Sequence, residues 1–331
     1  MKNKGIIIFL LLIAAVIVGT IVIEYRSGRP GRSDGNPFAL DIEAYKTVNP
    51  ALINYAESKN LKVNLNSPTA LKIFQDTIYV SGDNRILVIS QSGTLYNEYI
   101  FSFQPVTFEV TAGGFYIAAL DKLFKVDKSG KVLTEWEVAD STVHITALAV
   151  AGENLMVADA GNRKILRYNF DGDFIDAFDG KADEGALHGF IVPGPQFDLC
   201  INNDNELWVV NPGLHALENY SFEGKLRGHW SHSGVDPEGF SGCCNPGHIA
   251  FLNDGRFVTS EKGLVRIKTY RASGELDGVV AEPVKFTDNG QAPDIAADSK
   301  DNIYALDYDR KLIRIFVPLT KEGAISTVTD I

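Results

Sequence analysis

The chain has 331 residues, of which 45% are hydrophobic and 22% are charged, and these proportions exclude a disordered or collagen-like protein. The formal net charge is -11, yet the first 35 residues carry five basic and only two acidic side chains, so the remainder is strongly acidic. Because binding to a phosphate backbone needs clustered lysine and arginine, the acidic body predicts that nucleic acid is not a partner.

The amino-terminal segment is apolar enough to span a membrane. Ile6 to Ile23 are eighteen residues without a charge, and sixteen of them are strongly apolar. A helix of this length measures roughly 27 Å, close to the hydrocarbon thickness of a bilayer. A cleavable signal peptide has a shorter apolar region and a small-residue cleavage site, which this segment lacks. We therefore predict an uncleaved signal anchor with a short head over residues 1–24, a transmembrane helix that holds the protein in the membrane.

The residues after the apolar segment are predicted to lie outside the cytoplasm. Basic side chains are nearly balanced across the segment, but a short head followed by a large domain favours export to the periplasmic or extracellular side. Residues 25–37 are rich in Gly, Pro, Arg and Ser without apolar periodicity, which predicts a polar stalk.

A repeated unit dominates the rest of the chain. Equivalent strand positions are separated by 37, 40, 52, 50 and 46 residues, and a turn glycine follows the first five of them by 15, 15, 17, 17 and 17 residues. These positions are Ile78, Phe115, Leu155, Leu207, Phe257 and Ile303. Each unit contains four short apolar segments. Six such units predict an all-β fold, a six-bladed β-propeller over residues 67–331. A β-sandwich would explain the strands but not the period.

The repeated unit resembles the NHL repeat. Leu155–Ile165 reads Leu-Met-Val-Ala-Asp-Ala-Gly-Asn-Arg-Lys-Ile, and Pro293–Asp307 reads Pro-Asp-Ile-Ala-Ala-Asp-Ser-Lys-Asp-Asn-Ile-Tyr-Ala-Leu-Asp. The resemblance covers about residues 67–319 and is weak in the first two units. It implies a fold rather than an activity, because relatives with this repeat include interaction scaffolds as well as lyases and hydrolases.

Residues 38–66 are predicted to be an extension that completes the ring. Asp41–Tyr45 and Ala51–Ala56 look like short helices that are broken at Pro50 and pack outside the propeller. The last unit lacks an outer strand, which Leu61–Leu65 would supply. The alternative is Ala324–Val328.

Polar residues recur at one position of the inner strands, where they would surround the mouth of the central channel. Counting nine residues back from the equivalent positions, with one gap in the second unit, gives Thr107, Thr146, Asp198, His248 and Asp294. One interpretation is that they solvate a water-filled channel. The other is a metal or acid–base site, because carboxylates and imidazoles are common ligands and proton carriers.

The three cysteines fall near this position. Cys200 follows Asp198 by two residues and shares its face of the strand, and its equivalents Leu148, Ala250 and Ala296 favour a packing role. Cys243 and Cys244 precede His248 within Trp230–Gly247, which is an enlarged connection between units, as is Asp179–Gln196. Adjacent cysteines there could form a disulfide, bind a metal or do redox work.

Two functions follow from these patterns. The leading one is a membrane-anchored, extracytoplasmic binding or assembly module that takes a protein or small ligand at the channel mouth. The alternative is an enzyme or electron-transfer accessory with a redox or transition-metal centre of copper, zinc or iron. The residues of that centre would be Cys243, Cys244, His248, Asp198 and Asp294. The ligand or substrate is not identified by any motif.

Overall fold

The computed structural model describes residues 42–138, 140, 142–181 and 188–319, together with Ile13, Val16 and Val18. The chain divides into two units, Met1–Asp41 and Ile42–Ile331. No helix among the described residues is long and apolar enough to cross a membrane. Apart from the three named residues, the predicted signal anchor lies outside the described residues, as do the stalk and the alternative closing strand Ala324–Val328.

The larger unit is a β-propeller, and its described part contains six antiparallel sheets of four strands each. Blade one consists of β2 (Pro68–Phe74), β3 (Thr77–Gly82), β4 (Arg85–Ile89) and β5 (Leu95–Ile100). Blade two consists of β6 (Thr107–Thr111), β7 (Gly114–Ala119), β8 (Lys122–Asp127) and β9 (Val132–Glu137). Blade three consists of β10 (Ile145–Ala151), β11 (Asn154–Asp159), β12 (Lys164–Asn169) and β13 (Phe174–Phe178).

The second half of the ring repeats this pattern. Blade four consists of β14 (Leu199–Ile201), β15 (Leu207–Asn211), β16 (Ala216–Tyr220) and β17 (Leu226–Ser231). Blade five consists of β18 (His248–Phe251), β19 (Phe257–Ser260), β20 (Ile267–Tyr270) and β21 (Leu276–Ala281). Blade six consists of β22 (Asp294–Ala297), β23 (Ile303–Asp307), β24 (Leu312–Pro318) and the amino-terminal strand β1 (Tyr55–Lys62). The prediction of an all-β propeller with six blades is confirmed.

The ring is closed by a strand that begins earlier than predicted. β1 pairs with β24 from Tyr55 opposite Pro318 to Lys62 opposite Leu312. The predicted strand Leu61–Leu65 overlaps it only at its first two residues. The alternating apolar residues of that segment are buried in the cluster between blades six and one, so the alternation marks packing rather than strand pairing.

The extension forms two short 3₁₀-helices, Ile42–Tyr45 and Pro50–Leu52. Pro50 begins the second helix instead of breaking one, because its missing N–H and fixed φ suit a first helical position. The chain then packs on blade five, where Ile53 bridges to Val279 of β21. Two further 3₁₀-helices are Pro212–Leu214 and Pro283–Lys285.

The recurrence of a turn glycine 15 or 17 residues after the first five equivalent positions has a physical origin in the contact between blades. The five turn glycines all have φ between +85° and +95°, which favours glycine over residues with a Cβ. A Cβ at each would also lie within 2.0 to 3.0 Å of a side chain from the outer strand of the preceding blade. The pairs are Leu61 on Gly93, Tyr99 on Gly130, Trp136 on Gly172, Phe178 on Gly224 and Trp230 on Gly274. The period therefore records blade-to-blade packing as well as turn geometry.

Candidate functional site

The structure brings three of the predicted channel residues into direct contact. The His248 Nδ1 atom lies 3.3 Å from Asp198 Oδ2 and 3.7 Å from Asp294 Oδ1. We call Asp198, His248 and Asp294 the channel cluster. They come from the inner ends of blades four, five and six, so three consecutive blades each contribute one side chain. Thr107 is buried at the start of β6, and the Thr146 hydroxyl donates to the Phe197 carbonyl oxygen.

Both carboxylates of the channel cluster also join neighbouring blades. Asp198 Oδ2 accepts a hydrogen bond from the backbone N–H of Ile249 at 3.1 Å. Asp294 Oδ2 accepts one from the backbone N–H of Leu71 at 2.7 Å, linking blade six to blade one. Buried N–H groups need such acceptors, so the two aspartates have a structural role in addition to any role in binding.

The electrostatics of the cluster favour a protonated imidazole. Burial alone would lower the pKa of His248, but the hydrogen bond that its ring donates to Asp198 and the negative charge of Asp294 outweigh it, so the pKa is raised. Burial raises the pKa of Asp294, although the charges of His248 and Lys72 oppose this. Within the described residues, no hydrogen bond of the protein occupies His248 Nε2.

The channel cluster borders two cavities. The first, which we call the mouth cavity, has a volume of about 470 Å³ and lies where the chain enters the inner strands. The side chains that line it include Thr69, Thr146, Gln196, His248, Gln291 and Tyr308. The second, the far cavity, has about 370 Å³ and is lined by Asp198 and Asp294 together with Lys72, Glu109 and Cys200. His248 faces the first cavity while its carboxylate partners face the second.

The far cavity contains an ion pair that the sequence analysis missed. Lys72 Nζ lies 3.3 Å from Glu109 Oε2. Burial would lower the pKa of Lys72, but Glu109 and the two aspartates of the channel cluster outweigh it and raise the pKa. The signal in the sequence is that charged residues occupy an inner-strand position that is alanine in three other blades.

Cys200 occupies this same inner-strand position. It pairs with Trp208, one residue beyond the equivalent position Leu207, and the matching residue of blade three is Ala149, which pairs with Met156. The predicted equivalent Leu148 is therefore wrong by one residue, because a bulge between Ile145 and Ala147 shifts the register. Burial raises the pKa of Cys200 to about 12, as expected for a packed thiol.

The cysteine pair does not join the channel cluster. Cys243 is exposed and Cys244 is buried, both are free thiols, and their Sγ atoms are 3.1 Å apart. Cys244 Sγ and Lys262 Nζ both lie close to Gly194, at 3.6 and 3.7 Å from the place of a Cβ on that glycine. In the part of the chain that the structure describes, no hydrogen bond or ion pair connects the two thiols with His248.

The predicted metal set of Cys243, Cys244, His248, Asp198 and Asp294 is accordingly not assembled as one group. Among the described residues, no three or more His, Cys, Asp or Glu side chains are arranged to hold a metal ion. The physical reason is that the Cys244 thiol lies beside Lys262, whereas the His248 imidazole contacts the carboxylates of the neighbouring blades.

A second buried ionic group, which we call the clamp cluster, consists of Glu261, Arg266 and Lys268 in blade five. Arg266 Nη2 and Lys268 Nζ lie 2.9 and 2.8 Å from the Glu261 carboxylate. Their remaining N–H groups donate to backbone carbonyl oxygens of the connection before blade five, at Val235 and Gly239. The clamp cluster thus fixes the enlarged connection that carries Cys243 and Cys244.

Comparisons with solved structures show the fold. A streptogramin B lyase has 17% sequence identity, covers 83% of this chain and 91% of its own, and gives a TM-score of 0.55. A catalytically inactive variant of virginiamycin B lyase from Staphylococcus aureus, solved with quinupristin, has 16% identity, covers 80% and 90%, and also gives 0.55. The WD40 β-propeller domain of Doa1 has 12% identity, covers 77% and 80%, and gives 0.55.

These neighbours differ in function, so at such identities the likeness shows a propeller and nothing finer. No protein-family model matches the chain, and no curated protein matches it. The resemblance to the NHL repeat therefore stays a prediction.

Proposed function

We propose that this protein is a membrane-anchored, extracytoplasmic binding module whose mouth cavity takes a small polar ligand. The observation that carries the proposal is the His248 imidazole, which lines the cavity, is hydrogen-bonded at Nδ1 to Asp198 and has the Asp294 carboxylate 3.7 Å from the same nitrogen. A carboxylate at one ring nitrogen orients the ring and determines which nitrogen is left for a ligand. Here that nitrogen is Nε2.

The chemistry of the cavity wall indicates the class of ligand. Protonated at Nε2, His248 would donate a hydrogen bond to a carbonyl, hydroxyl or carboxylate oxygen. The residues Gln196 and Gln291 line the same cavity, and Val106 and Pro195 add apolar surface. A cavity with a few convergent polar groups beside apolar surface is typical of small-molecule sites. A protein partner would instead have to insert a side chain into the same cavity.

The geometry does not support the alternative of one metal or redox centre that combines the cysteine pair with the channel cluster, because no hydrogen bond or ion pair among the described residues joins the two groups. Membrane attachment is supported by the sequence alone, through the apolar run from Ile6 to Ile23. Resistance of the protein to alkaline extraction from membranes, with residues 1–23 retained in the mature chain, would agree with the anchor. Recovery of a mature chain that begins beyond Ile23 would contradict it.

Binding can be tested on the purified full chain with a panel of neutral monosaccharides, amino acids and N-acetylated dipeptides. We expect at least one class to raise the unfolding temperature of the wild type, and the rise to be lost in His248→Gln and reduced in Gln291→Ala. The matched control is His229→Gln on outer strand β17, which should bind like the wild type. Compounds that stabilise the wild type and His248→Gln equally would place the site elsewhere.

A further inference from the structure

The pair Cys243 and Cys244 combines features that neither the fold nor the proposed binding role requires. Cys243 is exposed and Cys244 is buried, and the two Sγ atoms are 3.1 Å apart. An exposed thiol can be reached by a reagent from solution, whereas a buried thiol is shielded from it. We therefore expect Cys243 to react before Cys244.

The surroundings of Cys244 include a cation. Burial and the neighbouring Cys243 thiol raise the pKa of Cys244, and Lys262 opposes both effects. Once Cys243 has formed a mixed disulfide, it no longer raises the pKa of Cys244, whereas Lys262 continues to lower that pKa. Ionisation of the buried thiol then becomes easier at the stage at which it must act as a nucleophile.

The loop that carries the pair is held from several sides. Asn245 donates to the carbonyl oxygens of Ser241 and Lys262 at 2.6 and 3.1 Å and accepts from the Lys262 N–H at 2.8 Å. The Ser241 N–H donates to Glu261 of the clamp cluster at 3.0 Å. Positioning by packed and hydrogen-bonded neighbours keeps two reacting groups together, which accelerates an intramolecular step.

From this arrangement we propose that Cys243 and Cys244 form a thiol–disulfide exchange site for low-molecular-weight disulfides. The Cys243 thiolate attacks one sulfur of the disulfide, forming a mixed disulfide and releasing one thiol. The Cys244 thiolate then attacks Cys243 Sγ, forming the Cys243–Cys244 bond and releasing the second thiol. One external disulfide is reduced to two thiols while the protein loses two hydrogens.

The site lies one contact away from the mouth cavity. Lys262 Nζ donates to Gln196 Oε1 at 3.4 Å, and Gln196 lines that cavity. The thiol chemistry of Cys243 and Cys244 can nevertheless be measured without a ligand in the mouth cavity. Failure of this proposal and failure of the binding proposal are therefore distinguishable.

The test uses the full-length protein, oxidised glutathione and mass spectrometry of the cysteine peptides. From three free thiols we expect one to remain, Cys200, with an internal disulfide on the Cys243–Cys244 peptide. Cys244→Ser should stop at a glutathione adduct on Cys243. Cys243→Ser should react about tenfold or more slowly, because the exposed thiol is gone and only Cys200 and the buried Cys244 are left.

A second pair of variants examines the cation. Lys262→Gln should let the mixed disulfide accumulate before the internal bond forms, whereas the control Lys225→Gln, on a turn of blade four, should behave like the wild type. Binding of phenylarsine oxide, which needs two neighbouring thiols, gives an independent measurement on folded protein. An unchanged thiol count, a wild-type protein that stops at the adduct, or Cys243→Ser that reacts at the wild-type rate would each overturn the proposal.

Discussion

The channel cluster and the clamp cluster are both ionic groups inside one propeller, yet they differ in their access to solvent. The side chains of Glu261, Arg266 and Lys268 are at most 1% exposed. Those of His248 and Asp198 are 21% and 12% exposed and border cavities. The buried clamp cluster donates its hydrogen bonds to the neighbouring backbone and so fixes a loop. The partly exposed channel cluster leaves a polar atom available to a ligand. The degree of burial, and whether the polar atoms already have hydrogen-bond partners in the protein, thus distinguish a structural cluster from a candidate binding site of similar composition.

The largest effect is expected from Glu261→Gln in the clamp cluster. The substitution leaves two buried cations without their carboxylate, and removing one partner of a buried ion pair costs about 3–5 kcal/mol. The free energy of unfolding, measured by denaturant titration, should fall by that amount.

Glu275→Gln is the matched control in the same blade, because Glu275 is 71% exposed and forms its ion pair with the exposed Arg271. Its effect should stay within about 0.5 kcal/mol. Equal stability of the two variants would mean that the clamp cluster does not hold the connection in place.

A smaller loss of stability is expected from Asp198→Asn in the channel cluster. The amide oxygen can still accept from the Ile249 N–H, so the free energy of unfolding should fall by about 1–3 kcal/mol. The more specific result is a lower pKa of His248, because the hydrogen bond that raises it becomes neutral. Titration of the His248 ring followed by NMR measures this shift.

Asp294→Asn serves as the comparison, since its carboxylate is 3.7 Å from the same nitrogen instead of 3.3 Å. We expect a drop of the His248 pKa in both variants. If the His248 pKa were unchanged in both variants, neither aspartate would be the cause of the raised pKa.

The two clusters should respond to pH in opposite directions. The pKa of His248 is raised in the folded state, so its contribution to stability is complete below the unfolded value near 6.5 and is lost as pH rises through the folded pKa. Burial and the charge of Arg266 lower the pKa of Lys268 to about 8, although Glu261 opposes them. Its contribution is therefore unfavourable below about 8 and is relieved as pH rises towards the ordinary lysine value.

The free energy of unfolding measured across pH should decline above about pH 6.5, and this decline should disappear in His248→Gln. It should also show a gain above about 8 that disappears in Lys268→Met. These are the smallest effects of the set. If both variants kept the pH profile of the wild type, the assignment of the two slopes to His248 and Lys268 would be contradicted.

The propeller could be predicted from the sequence because the blades pack on one another in the same way, and this packing repeats the same residue types at similar positions of each unit. The turn glycines are visible in the sequence since each must admit an aromatic or leucine side chain from the blade before it. The channel cluster could be found in the same way, because a constant offset within a repeated unit selects one position of the inner strands.

The relation between Cys244 and His248 could not be predicted by this means. Four residues separate them along the chain, yet the thiol packs beside Lys262 and the imidazole beside Asp198 of another blade. The course of that loop depends on the clamp cluster, whose residues come later in the sequence. A regular offset gives no information on an irregular connection.

The closure of the ring has a consequence for the order in which the chain can be made. Among the described strands, β1 is the first to be synthesised and pairs with β24, the last of them, and Pro318 lies 263 positions after its partner Tyr55. Bringing two such distant segments together costs about 5 kcal/mol of chain entropy if nothing else is formed. Five blades can assemble before that pairing and shorten the distance that remains. Until β24 has left the ribosome, β1 has an unpaired edge, and a truncated chain would keep that edge open to strands of other molecules.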